Sequence, residues 1–239
     1  MGDLFDKGAK LFKEAGAWKE AGDDFVKAAE YNRTKGESRK DQDGQYARAC
    51  DCIVYYYKAA DCYKNIDPRL AIDCYRKRSE DHMKMNRTTR AADDHVAIAK
   101  MYNSELHDKE SSIKHYKKAA DLHEGGRDNI TRNSYLEKVA ELLAELERYR
   151  EAISVFEGVA FYKVEKLGFF NKLSAKKNFF CALLCHICID LSETQQALQK
   201  YVNVFSLLAE SEECKLVKEI LTAIEEQNEQ TFTEVIARF

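Results

Sequence analysis

The stretch AGDDFVKAA, residues 21–29, carries the pattern that decides the fold. A small or aliphatic residue is followed three or four positions later by an aromatic residue, and often by an alanine pair, which is the spacing of one helix face. The pattern returns at Ile72-Tyr75, Ile113-Tyr116-Ala119-Ala120, Ile153-Phe156 and Leu198-Tyr201. A repeat of about 40 residues with helical spacing inside each unit predicts stacked helix pairs. Such an array offers an extended surface for gripping other proteins.

Composition agrees with an all-α chain. The 239 residues include one proline and ten glycines, too few for the many turns of a sandwich or barrel. The net charge of −3 predicts no bulk attraction to nucleic acid. The first residues are acidic and lack the apolar core of a secretory signal. The longest apolar run, 179–191, is shorter than the roughly 20 residues of a membrane span. We therefore expect a cytoplasmic protein with reduced cysteines.

Helix signals divide the chain into pairs. The first pair is expected at 3–14 and 18–32, with Phe12, Trp18 and Phe25 facing each other, and a long loop at 33–44. In the next helix, 45–64, Tyr56 and Tyr57 are predicted in the core and Tyr55 at the surface. Asp67-Pro68 predicts a helix start. The later helices are expected at 68–86, 87–106, 109–123, 131–147, 149–163, 174–191, from a Ser192–Gln195 capping box onward, at 212–227 and at 229–239.

Small-molecule sites are poorly supported by the sequence. Neither GxxxxGK[ST] nor GxGxxG occurs, so no phosphate-binding loop of these forms is encoded. Cys181, Cys185, His186 and Cys188 lie on one predicted helix, which cannot converge them on one zinc ion. We predict no metal, no cofactor and no catalytic residue. A catalytic Cys–His pair stays open as an alternative.

Charge is unevenly placed. Lys172, Lys176 and Lys177 cluster with Lys163 and Lys166 around one predicted loop. The last thirty residues are acidic, with Glu213, Glu225 and Glu226 among the carboxylates. One interpretation is two solvated faces. The other is an adaptor that is basic towards one partner and acidic towards another.

The chain resembles a known family along nearly its whole length. FFCALLCHICIDL (179–191), QKYVNVF (199–205) and ECKLVKEILTAIEEQNEQTFTE (213–234) are similar to the C-terminal part of alpha-type soluble NSF attachment proteins, the SNAP adaptors. AKLFKEAGAWKEAGDDFVKAA (9–29), Asp67–Tyr75 and Ala91–Leu106 resemble upstream motifs of that family, and Leu142–Glu157 does so more loosely.

The resemblance implies a TPR-like, right-handed helical-hairpin array, an α-α superhelix, over 1–165 with a C-terminal helical bundle over 166–239. It implies an adaptor that binds the SNARE four-helix complex and recruits the hexameric ATPase NSF for its disassembly in vesicle fusion and intracellular transport. It also implies no enzyme activity and a location peripheral to membranes.

Residues carry over in part. The resemblance assigns Asp190, Glu225 and Glu226 to the NSF-facing side, to which the acidic run adds Glu213, while Thr222 stands at a usually acidic position. It assigns Arg87 and Lys138 to the SNARE-facing side, to which the lysine cluster adds Lys172, Lys176 and Lys177. Asp93 and Ser134 replace usual lysines, which weakens attraction for an acidic partner.

Relatives of this kind carry an N-terminal helix, an apolar membrane-contacting loop and about thirty C-terminal residues that have no counterpart here. One alternative is therefore a shortened SNAP that binds NSF without activating it. The remaining alternative is a TPR-like scaffold for peptides.

Overall fold

A computed structural model describes residues 1–37, 42–123, 129–166 and 173–238, with side chains for all of these except 36, 37 and 42–50. The described residues form α-helices and one 3-10 turn, and no strand occurs among them. The all-α prediction is therefore confirmed for this part of the chain. The helices are α1 (Gly2–Glu14), α2 (Trp18–Glu37), α3 (Gln42–Tyr63), α4 (Pro68–Lys84), α5 (Thr88–Ser104), α6 (Lys109–Leu122), α7 (Asn129–Glu145), α8 (Tyr149–Lys166), α9 (Ala175–Ile187), α10 (Leu191–Val204), α11 (Glu212–Glu225) and α12 (Glu229–Ala237).

The chain forms two compact units, Met1–Arg132 and Asn133–Phe239, with the boundary inside α7. In the first unit, consecutive helices from α1 to α6 pack on one another. In the second unit, α9 packs on α8, α10 and α11, and α11 packs on α12. The predicted boundary at residue 165 separates two architectures, a repeat and a bundle, and not two compact units. It therefore stays a prediction.

The repeated anchors are all buried and all lie on even-numbered helices. Phe25 is 3% exposed on α2, and its counterparts on α4, α6, α8 and α10 are buried as well. Each anchor aliphatic residue is also buried, as are the alanine pairs on α2 and α6. The anchor prediction is confirmed, since one helix of each pair contributes the same buried stripe.

Four of the turns between consecutive described helices have the same backbone geometry. Gly16, Asn86, Glu147 and Gln227 have φ between 51° and 75°, each two residues before a helix begins. The next N–H bonds the carbonyl five residues back, as from Arg148 to Leu143 at 2.9 Å. This is the Schellman motif, which ends one helix and starts the next within three residues. Three of these four left-handed positions are occupied by residues other than glycine.

Ion pairs join helices that are two apart in the chain. Lys58 on α3 bonds Asp6 on α1 at 2.9 Å, and Lys77 on α4 bonds Glu30 on α2 at 2.8 Å. In the second unit, Lys200 on α10 bonds Glu157 on α8 at 2.9 Å. The two lysine–glutamate pairs are exposed, and exposed pairs contribute little stability. The sequence separations of all three pairs, 43–52 residues, nevertheless match the repeat, and each pair links a helix to its next-but-one neighbour.

Several local expectations were wrong. Helix α2 continues to Glu37 and α3 begins at Gln42, so most of the predicted loop at 33–44 is helical. Phe12 and Trp18 are 40% and 42% exposed, and only Phe25 of that trio is buried. The Phe25 ring instead stacks on Tyr55 at 6.5 Å between centroids.

The tyrosine run also differs from its prediction. Tyr56 is fully buried as expected, but Tyr57 is 52% exposed and Tyr55 packs against the core. The Tyr57 ring lies 5.0 Å from the Arg78 guanidinium.

A buried ionic cluster lies between α4 and α5. Asp94 is fully buried and accepts from Arg78 Nε at 2.6 Å. His82 Nε2 lies 3.8 Å from the same carboxylate. Burial, and then the nearby arginines Arg78, Arg87 and Arg90, lower the pKa of His82 to about 4. The imidazole is therefore neutral in the folded protein at neutral pH.

Replacing the buried anchor Phe25 by alanine should lower the free energy of unfolding by about 3–5 kcal/mol, because a large core side chain leaves a cavity. Trp18→Ala removes an exposed ring and should cost about 1 kcal/mol or less. Urea unfolding followed by circular dichroism measures both. Equal costs would contradict the placement of the two rings.

His82→Asn should make the protein more resistant to acid. A folded-state pKa below the unfolded value of 6.5 adds stability above pH 6.5, and that contribution is lost as the pH falls towards 4. The free energy of unfolding of the unsubstituted protein should fall by about 2 kcal/mol more than that of the variant between roughly pH 7.5 and 4.5. Parallel pH profiles would contradict this account.

Candidate functional site

Asp190 has a local structural role besides its charge. It is the N-cap of α10, and its carboxylate accepts the Glu193 N–H at 2.8 Å. The predicted cap at Ser192 was wrong, because Asp190 precedes it and already begins the helix. A carboxylate at this end is stabilised by the helix dipole.

Glu225 and Glu226 stand at the opposite kind of helix end. Glu225 is the last residue of α11 and Glu226 is its C-cap, and both are exposed. The last turn contains no basic residue. The carbonyl groups at a helix C-terminus carry partial negative charge, which disfavours carboxylates there and adds to their field. Local stability does not explain this pair.

A hydrogen bond brings the two acidic elements together. Gln195, in the second turn of α10, donates from Nε2 to Glu225 Oε1 at 2.5 Å. The C-terminus of α11 therefore lies at the end of α10 that Asp190 caps. We call Asp190, Glu225 and Glu226 the acidic surface. Thr222, one turn earlier, is exposed and donates its hydroxyl to the Lys218 carbonyl at 3.0 Å.

Glu213 does not join the acidic surface. It lies in the first turn of α11, twelve residues before Glu225. At a rise of 1.5 Å per residue, the two are about 18 Å apart along the helix. Its position at a helix N-terminus is one where a carboxylate stabilises the helix.

On the basic side, the structure brings Lys138 and Lys177 together. Lys138 Nζ on α7 lies 2.6 Å from Glu141 Oε2, and Lys177 Nζ on α9 lies 3.3 Å from Oε1 of the same carboxylate. Lys176 is partly buried beside Lys177. We call Lys138, Lys176 and Lys177 the basic surface. Sequence reasoning missed Glu141, although its spacing of three from Lys138 on one helix was a signal.

The first turn of α9 is an unfavourable place for lysines. Lys176 and Lys177 follow Ala175 directly, and Ser174 makes no side-chain capping bond. Exposed N–H groups give a helix N-terminus partial positive charge, which repels cations. The basic surface therefore combines two side-chain charges with the positive end of a helix.

The remaining basic candidates are placed differently. Arg87 is exposed at the N-cap position of α5, in the first unit. Lys172 lies outside the described residues. Lys163 is not a surface cation, since its side chain is 12% exposed and bonds Glu137 at 2.5 Å and Asn178 at 2.9 Å. Asp93, at a usually basic position, pairs with Arg90 at 3.6 Å.

The sequence-predicted Cys181–Cys188 group lies on and just after α9. Cys185 is buried, Cys188 is exposed, and burial raises the pKa of the Cys185 thiol to about 12. Among the described residues, no group of three or more His, Cys, Asp or Glu side chains is arranged to hold a metal ion. No described helix is both long enough and apolar enough to cross a bilayer.

Consecutive helices that pack on one another with a repeated buried anchor define the class of helical-repeat proteins. The model of one such family, the soluble NSF attachment protein, SNAP, matches residues 1–239, and the chain belongs to that family. It is 37% identical over 237 residues to the mouse alpha-soluble NSF attachment protein, covering 99% of this chain and 76% of the relative. It is 35% identical over 237 residues to the bovine beta-soluble NSF attachment protein, covering 99% and 75%. A solved structure of a putative kinesin light chain with TPR-like repeats from Podosopora anserina is similar at a TM-score of 0.49, with 12% identity, covering 87% of this chain and 97% of that one.

Two substitutions separate the capping role of Asp190 from its charge. Asp190→Ala should lower the free energy of unfolding by about 1 kcal/mol, while Asp190→Asn should change it by only a few tenths, because asparagine is an equally good N-cap. Urea midpoints measure both. If asparagine destabilised the protein as much as alanine, the cap would not be the stabilising interaction.

Proposed function

We propose that this protein is an adaptor that binds SNARE four-helix complexes and recruits an NSF-type hexameric ATPase for their disassembly. It acts without a cofactor and without chemistry of its own, at the periphery of membranes. Membership of the SNAP family supports an NSF-attachment role. The two oppositely charged surfaces support the proposal that the protein binds two different partners.

The observation that carries the proposal is the direction of the helix dipoles. Glu225 and Glu226 lie at a helix C-terminus, and Lys176 and Lys177 lie at a helix N-terminus. In both places the backbone adds charge of the same sign as the side chains, at a cost to helix stability. Charged side chains that destabilise their own helix are the ones expected to lie at functional sites.

The acidic surface is proposed to receive the basic N-terminal domain of the ATPase. Asp190 supplies a fixed carboxylate there because its cap holds it, and Glu225 and Glu226 supply exposed ones. Complementary potentials of this kind raise the association rate and set the register of docking. Glu213 lies about 18 Å from Glu225 along α11 and stays a candidate for the edge of the same contact.

The basic surface is proposed to bind the acidic exterior of the SNARE complex, and Arg87, in the first unit, stays a separate candidate for a SNARE contact. The side chains of Lys138 and Lys177 are 57% and 68% exposed, so a partner reaches them without rearrangement of the core. Asp93 and Ser134 leave this side less basic, so we expect its affinity to depend strongly on the lysines that are present.

Reversing two charges of the acidic surface tests the ATPase contact. Glu225→Lys with Glu226→Lys should weaken binding of the NSF N-terminal domain at least tenfold at low salt, about 1.4 kcal/mol or more. The matched control, Glu210→Lys with Glu212→Lys, makes the same change in net charge before and at the start of α11. Calorimetry at low and high salt measures binding, and circular dichroism checks helix content.

Equal loss in both double variants would mean that only total charge matters, which would contradict a local acidic surface. Failure of the unsubstituted protein to bind the NSF domain at low salt would contradict the adaptor proposal itself. In that case a peptide-binding scaffold becomes the better account. Binding of the SNARE complex should be unchanged in both double variants.

A further inference from the structure

One carboxylate holds both exposed lysines of the basic surface. Glu141, one turn before the end of α7, accepts from Lys138 on its own helix and from Lys177 on α9. Its two oxygens are divided between the two cations, Oε2 to Lys138 and Oε1 to Lys177. The surface that an acidic partner would meet therefore contains an acid at its centre.

The neighbouring pair of Lys163 and Glu137 is an example of a structural ion pair in this protein. Lys163 bonds Glu137 and the buried Asn178, and its side chain is 12% exposed. Separating a pair so protected from water is costly because it leaves a buried charge behind. Lys138 and Lys177 are more than half exposed, and such pairs contribute about 0–1 kcal/mol. Water and a competing carboxylate can replace Glu141.

Glu141 is ionised when the partner arrives. Burial alone would raise its pKa, but hydrogen bonds and attraction from Lys138 and Lys177 outweigh burial, and the net pKa is lowered. A partner's carboxylates are therefore repelled by a charge lying between the two lysines that attract them.

We propose that Glu141 is a built-in counter-ion that the acidic partner must outcompete for Lys138 and Lys177, so that it lowers affinity and sharpens selectivity at the basic surface. The inference rests on the proposed SNARE-binding function of that surface. A partner that places carboxylates at both lysines replaces both bonds. A weakly acidic partner cannot do so and is rejected, which is specificity by repulsion as well as attraction.

Glu141→Gln in the full chain tests the proposal against a soluble SNARE four-helix complex. The amide keeps the shape and an acceptor oxygen but removes the charge. Binding should become about three- to tenfold tighter at low salt, which corresponds to the loss of one or two surface ion pairs. The gain should shrink at high salt, because salt screens exposed charges.

The matched control is Glu219→Gln on α11. It makes the same change in net charge and breaks one exposed ion pair, with Arg238, away from the basic surface. Its affinity for the SNARE complex should equal that of the unsubstituted protein. Urea unfolding of both variants shows whether the fold is retained.

A third variant separates the inference from the function it rests on. With Lys138→Gln and Lys177→Gln already present, binding should be weaker and Glu141→Gln should restore less than twofold. If the lysine substitutions weaken binding but Glu141→Gln alone leaves it unchanged or weaker, the counter-ion role is overturned and the SNARE-binding surface stands. If the lysine substitutions have no effect, the surface itself is wrong and the inference falls with it.

Discussion

The burial of one anchor on every second helix is the interaction on which the rest of the structure depends. Phe25, Tyr75, Tyr116, Phe156 and Tyr201 each lie on an even-numbered helix and each is buried. Schellman turns such as that at Glu147 reverse the chain within three residues. In the first unit, consecutive helices from α1 to α6 pack on one another. Ion pairs then form between next-but-one helices that this packing has already positioned. Because apolar burial holds the scaffold together, the surface charges can take part in the proposed contacts with partners.

The surface charges differ in whether the dipole of their own helix favours or disfavours them. Asp190 and Glu213 lie at helix N-termini, where a carboxylate stabilises its own helix. Glu225, Glu226, Lys176 and Lys177 lie where the dipole works against them. The helix dipole therefore favours the positions of Asp190 and Glu213 and disfavours those of the other four residues. Glu141 adds a third kind, a charge that opposes the surface in which it lies.

Much of the fold could be predicted from sequence, because a repeated helical spacing of apolar residues directly reports a buried face. The Asp67-Pro68 start was confirmed too, since Asp67 caps α4 through the Arg69 N–H. Single glycines misled the prediction at 33–44, where helix propensity and packing override Gly36. Tyr55 and Tyr57 exchanged environments because both lie at the edge of the helix face, and only tertiary contacts with Phe25 and Arg78 decide between them. Contacts such as that between Gln195 and Glu225 join residues 30 positions apart, and no sequence pattern near either residue predicts them.

Hydrogen exchange followed by mass spectrometry, on the protein alone and with each partner, most directly tests the claim that two separate charged surfaces bind two different partners. The account predicts that the NSF N-terminal domain slows exchange around residues 190–195 and 222–228, and that the SNARE complex slows it around 134–141 and 175–181. Protection of one common segment by both partners, or protection confined to segments outside these ranges, would contradict it.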